Sequence, residues 1–87
     1  MRIYEGCYTG ELPVYTVSIG DEGEQVQQLQ EFLNWYGNYG LKIDGVFGIA
    51  TENAVKDFQE CTGYGDSGVF DPIARYVARY THKKKGC

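Results

Sequence analysis

The chain has 87 residues, 43% hydrophobic and 23% charged, which is enough for one modest core and close to ordinary globular composition. Its formal net charge of -4 argues against nucleic-acid binding, whose affinity comes largely from neutralising phosphates. No run approaches the apolar length of a membrane span, and Met1-Arg2-Ile3-Tyr4-Glu5-Gly6 lacks a signal peptide's apolar segment, so no membrane partner is expected and export depends on something outside these residues.

Residues 1–19 contain Gly6, Gly10 and Pro13 among alternating Tyr, Thr and Val, and read as an extended lead-in or linker. Asp21 and Glu24 then have capping-box spacing, which predicts a first helix starting there. Val26, Leu29, Phe32, Leu33 and Tyr36 recur at helical spacing as its apolar face, and Gly37 supplies the stop. Asn38 to Gly48 is a glycine-rich loop in which Leu41-Lys42-Ile43 suits a short extended piece before the Asp44-Gly45 turn.

A second helix is expected from about Ile49 to Cys61, with Ala50, Ala54, Val55, Phe58 and Cys61 on one side and Gly63 ending it. Asp71-Pro72 supplies an N-cap and first-turn proline for a third helix, whose expected apolar face is Ile73, Tyr76, Val77 and Tyr80, with Arg75 and Arg79 projecting elsewhere. An internal repeat is visible at an offset of 23 residues: Gly45-Val46-Phe47-Gly48 and Gly68-Val69-Phe70-Asp71 are each a glycine turn leading into a helix.

The residues from Gly20 onward resemble the peptidoglycan-binding domain of the three-helix type found in bacterial and phage wall hydrolases. Gly20-Asp21-Glu22-Gly23-Glu24-Gln25-Val26-Gln27-Gln28-Leu29-Gln30 is similar to the opening G-x-x-G-x-x-V-x-x-L-Q. Asp44 through Thr51 is similar to D-G-x-F-G-x-x-T, and Ala54-Val55 and Phe58-Gln59 follow at the family's spacing. The second turn departs from the pattern, with Ser67, Asp71 and Ala74 where the family often has Asp, Gly and Thr, so this copy reads as structural. Matrix-metalloprotease propeptides share a similar helical domain, but their inhibitory P-R-C-G motif is missing from this sequence.

The resemblance implies an all-α, three-helix domain over residues 20–82, flanked by the lead-in and by a basic tail at 83–87. It implies non-covalent binding of peptidoglycan, through glycan strand or stem peptide, by a domain that targets an attached or partner cell-wall hydrolase. It also implies an extracellular or wall-associated setting. The alternative is a protein-interaction or assembly module that keeps the fold without sugar recognition. A third class, helix-turn-helix DNA binding, finds Arg75, Arg79, His82 and the lysine tail near helix three but is opposed by the acidic body.

No catalytic role is expected. The 12 carboxylates fall mostly at helix starts, turns or exposed helical positions, and three short helices offer little cleft for a pair across a scissile bond. One His and three Cys without a C-x-x-C pair make neither a metal site nor a cofactor site. Cys61 reads as a buried thiol, with a Cys7–Cys61 disulfide open as an alternative, and Lys83, Lys84 and Lys85 read as a solvated tail, with a wall-polymer or nucleic-acid contact as the alternative.

For binding, the aromatics are the informative class: 8 Tyr, 4 Phe and 1 Trp suit half-buried recognition surfaces as well as cores. Asn34, Trp35, Asn38 and Tyr39 combine ring faces with amides, the chemistry that covers a sugar's C–H face and satisfies its acetamido group. At 100° per residue Trp35 falls off the core stripe, so it is either a partly exposed platform or packed beneath the lead-in. Asp44, Gly45 and Tyr64 form the second candidate group, in which the turn's amides either meet ligand or serve the turn itself. Gln30 and Gln59, at the edges of their apolar faces, either brace loops or touch glycan.

Overall fold

A computed structural model describes residues 6–85 and 87; the first five residues of the expected lead-in and Gly86 of the tail lie outside the described residues. Three helices, α1 (Glu24–Gly37), α2 (Ile49–Thr62) and α3 (Pro72–Tyr80), form an all-helical domain without a sheet among the described residues. All 4 phenylalanines of the chain are in its centre. Phe32 meets Phe58 edge-on at 5.3 Å between ring centroids, and Phe70 lies 6.4 Å from both. Each such ring contributes about 1.5–3 kcal/mol by leaving water.

The face of α1 is the one its periodicity predicts: Val26, Leu29, Phe32, Leu33 and Tyr36 are buried, joined by Gln30. Its start differs. Gly23 is the N-cap and no side chain caps the helix, because residues 20–23 are drawn into pairing with the first glycine turn. Gly20 N–H donates to Phe47 O (2.9 Å), Phe47 N–H to Asp21 O (2.9 Å) and Gly23 N–H to Gly45 O (2.8 Å). Asp21 is thereby held outside the helix, and its carboxylate accepts from Ser18 N–H instead. At the other end Gly37 is still helical, and the left-handed cap is Asn38, at φ 55°.

On α2, Ala54, Val55 and Phe58 are buried as expected and Thr51 and Gln59 also face the core, whereas Ala50 is exposed. Leu41-Lys42-Ile43 forms no strand. The largest correction is on α3. Its buried residues are Ala74 and Ala78, whereas Ile73 is 63% and Tyr76 68% exposed, Tyr80 is exposed and Val77 is only partly covered. A centre already filled by four phenyl rings has no volume for a second layer of large side chains, and the alanines let the helix backbone come close. Arg79 is accordingly turned inward, its guanidinium donating to Tyr8 O (2.8 Å) and Gly10 O (3.0 Å) of the lead-in.

The described part of the lead-in packs on the helices. Leu12, Pro13 and Val17 are buried, and Val17 exchanges backbone hydrogen bonds with Phe70 (3.1 and 2.9 Å). The lysine run is likewise fixed, not solvated throughout. Cys87 forms a disulfide with Cys61, Lys84 N–H donates to Tyr36 O (2.8 Å), and Lys84 Nζ pairs with Asp57 (2.7 Å). This corrects both cysteine readings: Cys61 is not a thiol, and Cys7 is the free cysteine. A cross-link spanning 26 residues contributes about 3 kcal/mol by restricting the unfolded chain.

Candidate functional site

Helix α1 ends in a polar, aromatic turn built by its own side chains. Asn34 spans the loop, its Nδ2 donating to Leu41 O and its Oδ1 accepting from Leu41 N–H, both at 2.8 Å. Asn38 N–H returns to Asn34 O (2.9 Å), which leaves the Asn38 side chain exposed at the corner. A Cβ at Gly37 would fall against the Tyr39 ring, so a larger residue there would require that ring to shift. Tyr39 folds back across α2: its hydroxyl donates to Asp57 Oδ2 at 2.5 Å. Burial, followed by that hydrogen bond, pushes the phenol well above its ordinary value. Asp57 is held below the usual carboxylate range first by Lys84 and then by Tyr39.

Trp35 is both partly exposed and packed against the lead-in. It is half-buried, with the Tyr8 ring 5.2 Å away, Phe32 5.9 Å away and Lys83 Nζ 5.6 Å over its ring. An exposed cation–π contact of this kind is worth about 0.5–1 kcal/mol, so the ammonium is easily drawn off the ring.

Two grooves receive most of the candidate residues. The first, about 510 Å³, is lined by Asn34, Trp35 and Asn38 together with Lys83 and Lys84. The second, about 340 Å³, holds Tyr39, Lys42, Asp44 and Ile49, with Gln30 and Thr51 also in its lining. Asp44 is held below its ordinary value chiefly by the Val46 N–H, then by Gln30. Gly45 is buried, and its N–H is taken by Gln30 Oε1 at 3.0 Å, so this turn amide serves the turn. Tyr64 is in neither groove; its ring packs on Phe58 at 6.1 Å, and burial raises its hydroxyl to about 12.

Gln30 and Gln59, each 1% exposed, brace the two glycine turns from within. Thr51 accepts from Gln30 Nε2 at 3.2 Å, and α2 has no side-chain cap. Sequence reasoning missed Lys83, Lys84 and Asp57 as neighbours of the aromatic turn. The available signal was Cys87 just beyond the lysines, but three cysteines alone do not reveal which two pair.

Residues 22–74 match the family described as "Putative peptidoglycan binding domain". The chain belongs to this family. It is 43% identical over 70 residues to a zinc D-Ala-D-Ala carboxypeptidase of Streptomyces albus G, covering 78% of this chain and 26% of that protein. A spore cortex-lytic enzyme of Bacillus cereus is 44% identical over 50 residues, covering 58% of this chain and 19% of the enzyme. Among solved structures, the SleB N-terminal domain superposes with a TM-score of 0.72 at 32% identity, covering 78% of this chain and 93% of that one. A Burkholderia AP3 phage endolysin superposes at 0.69 and 31% identity, covering 79% of this chain and 26% of the endolysin. Peptidoglycan-binding domains of this family are thus found in cell-wall hydrolases and endolysins, and the chain spans about a quarter or less of the carboxypeptidase and of the cortex-lytic enzyme.

Proposed function

We propose that this domain binds cell-wall peptidoglycan non-covalently, by the face around the α1–α2 turn, and holds an attached or partner lytic enzyme close to its polymer. Tethering raises the local substrate concentration without adding chemistry. The observation that carries the reading is the groove where a half-exposed indole lies beside the Asn38 amide, in a chain of the peptidoglycan-binding family. Asn34, Trp35 and Asn38 form the proposed first contact region, and Tyr39 and Asp44 the neighbouring one. Gly45 acts through the turn it shapes, and Tyr64 through its packing on Phe58. The disulfide agrees with an oxidising, extracellular or wall-associated setting.

The test is co-sedimentation of the chain with purified, protein-free peptidoglycan, with reducing ends and free amino groups assayed in parallel. The expected result is saturable pelleting without release of either product. Product release above a buffer control defeats the non-catalytic reading, and no pelleting with walls of several chemotypes defeats wall binding. The latter outcome favours an assembly module, for which the exposed Ile73 and Tyr76 of α3 are the supporting observation.

A further inference from the structure

The first groove has walls of different origin. Asn34, Trp35 and Asn38 lie inside the family match at 22–74, whereas Lys83 and Lys84 come from the segment after α3, outside it. That segment is anchored by the Lys84 N–H bond to Tyr36 O, the Lys84–Asp57 ion pair and the Cys61–Cys87 disulfide. The anchors, at Lys84 and Cys87, lie on the C-terminal side of Lys83, the first of them on the adjacent residue, and place it at the groove. Lys84 is neutralised by Asp57, but Lys83 is exposed and makes no ion pair among the described residues. A chain with a net charge of -4 therefore presents a positive charge at its aromatic groove.

We propose that Lys83 is the anion-recognising residue of this groove, and that the ligand taken there is a carboxylate-bearing peptide of the wall polymer rather than neutral glycan alone. The inference rests on the wall-binding reading above. Lys83 lies over the Trp35 ring by a contact that a full negative charge outcompetes. Moving the ammonium to a carboxylate uncovers the indole face for the ligand's apolar atoms. The exposed Asn38 side chain offers both a donor and an acceptor, which matches a peptide group better than a phosphodiester, an acceptor without N–H donors. Lys83 and Asn38 thus divide the recognition between the charged end and the amide backbone of one peptide.

The experiment is a pelleting titration of the whole chain on walls that keep their phosphate polymers and on peptidoglycan freed of them by hydrofluoric acid. Half of the stripped material has its carboxyls converted to primary amides with carbodiimide and ammonia. Wild type, Lys83→Gln and Lys83→Arg are compared, with melts confirming that these exposed substitutions leave the fold intact. The expected result is about tenfold weaker wild-type binding to amidated wall, the scale of one charge-assisted hydrogen bond. Lys83→Gln shows the same loss on unmodified wall and no further loss on amidation, while Lys83→Arg behaves as wild type. If all three proteins bind both walls equally, wall binding stands and the proposal falls. If wild type binds only walls that retain their phosphate polymers, the anion is phosphate and the proposal is wrong. If wild type binds no wall at all, the wall-binding reading fails and removes this one with it.

Discussion

The two glycine turns are copies of one device used for different ends. In each, a buried glutamine accepts from the turn glycine's N–H and donates forward: Gln30 to Asp44 and Val46 O, Gln59 to Ser67 and Val69 O. In each, the glycine is left-handed, at φ 75° for Gly45 and 77° for Gly68, and a phenylalanine two residues on is buried. The difference lies around the glutamine. Gln30 also meets Thr51, whereas Ala74 stands at the repeat-equivalent position and its N–H is capped by Asp71 (2.8 Å). The first turn leaves an exposed carboxylate, Asp44, at a groove; the second has the Ser67 hydroxyl in that place. Glutamine, glycine and phenylalanine therefore specify the turn, and the flanking positions decide whether it presents charge.

If the turns are equivalent in the core, Phe47→Ala and Phe70→Ala each cost about 3–5 kcal/mol in a denaturant melt, because a large cavity opens in a close-packed centre. For a domain of this size that is a large part of the total stability. A loss confined to one of them would break the equivalence. Gln30→Ala and Gln59→Ala come next, each at about 2–3 kcal/mol, since each leaves a buried glycine N–H unpaired. Gln30→Ala is the worse of the two because it also strands Thr51. Equal melts for this pair would show that Thr51 adds nothing.

The glycines sharpen the contrast further. A Cβ on Gly45 would meet Gly23 O, a backbone atom, at 3.0 Å, whereas one on Gly68 would meet the movable side chains of Glu52 and Lys56. Both substitutions pay left-handed strain of about 1–2 kcal/mol, and Gly45→Ala adds the clash with α1's N-cap, so its melting temperature falls further. The smallest effect is electrostatic. Asp44 is stabilised as the anion by Val46 N–H and Gln30, so its folded value lies below the ordinary 3.8. The stabilisation is therefore present above that value and is lost as pH falls through the folded one. In an acid titration followed by amide NMR, Val46 should shift with Asp44, while the equivalent Val69, facing a hydroxyl, should not.

How much of this was legible in the sequence depended on whether one local period decided the outcome. The face of α1 and the end of α2 at Gly63 were readable because apolar spacing and the glycine stop agree with the packing. The face of α3 was not: Ile73, Tyr76 and Tyr80 have the stronger apolar period, yet the volume left by four phenyl rings admits only Ala74 and Ala78. Asp21 showed the same limit, its capping signal being overridden by pairing with a turn more than twenty residues away. At the site, Trp35 and Asn38 were visible as chemistry, but the wall formed by Lys83 was not, because it depends on a disulfide partner that spacing leaves open.

The central claim, that the α1–α2 turn is a peptidoglycan-binding face, is tested most directly by titrating Trp35→Ala and Asn38→Gly against wild type on purified wall, with melts alongside. Glycine tolerates the left-handed position of Asn38, so that variant removes the amide with little strain. Trp35→Ala loses contacts to Tyr8 and Phe32, and some stability, about 1–2 kcal/mol for a half-buried ring. The account predicts that both variants remain folded, with wall affinity more than tenfold lower for Trp35→Ala, the usual scale of an aromatic hot spot, and several-fold lower for Asn38→Gly. Wild-type affinity in a folded Trp35→Ala protein would contradict the account and place the binding face elsewhere on the domain.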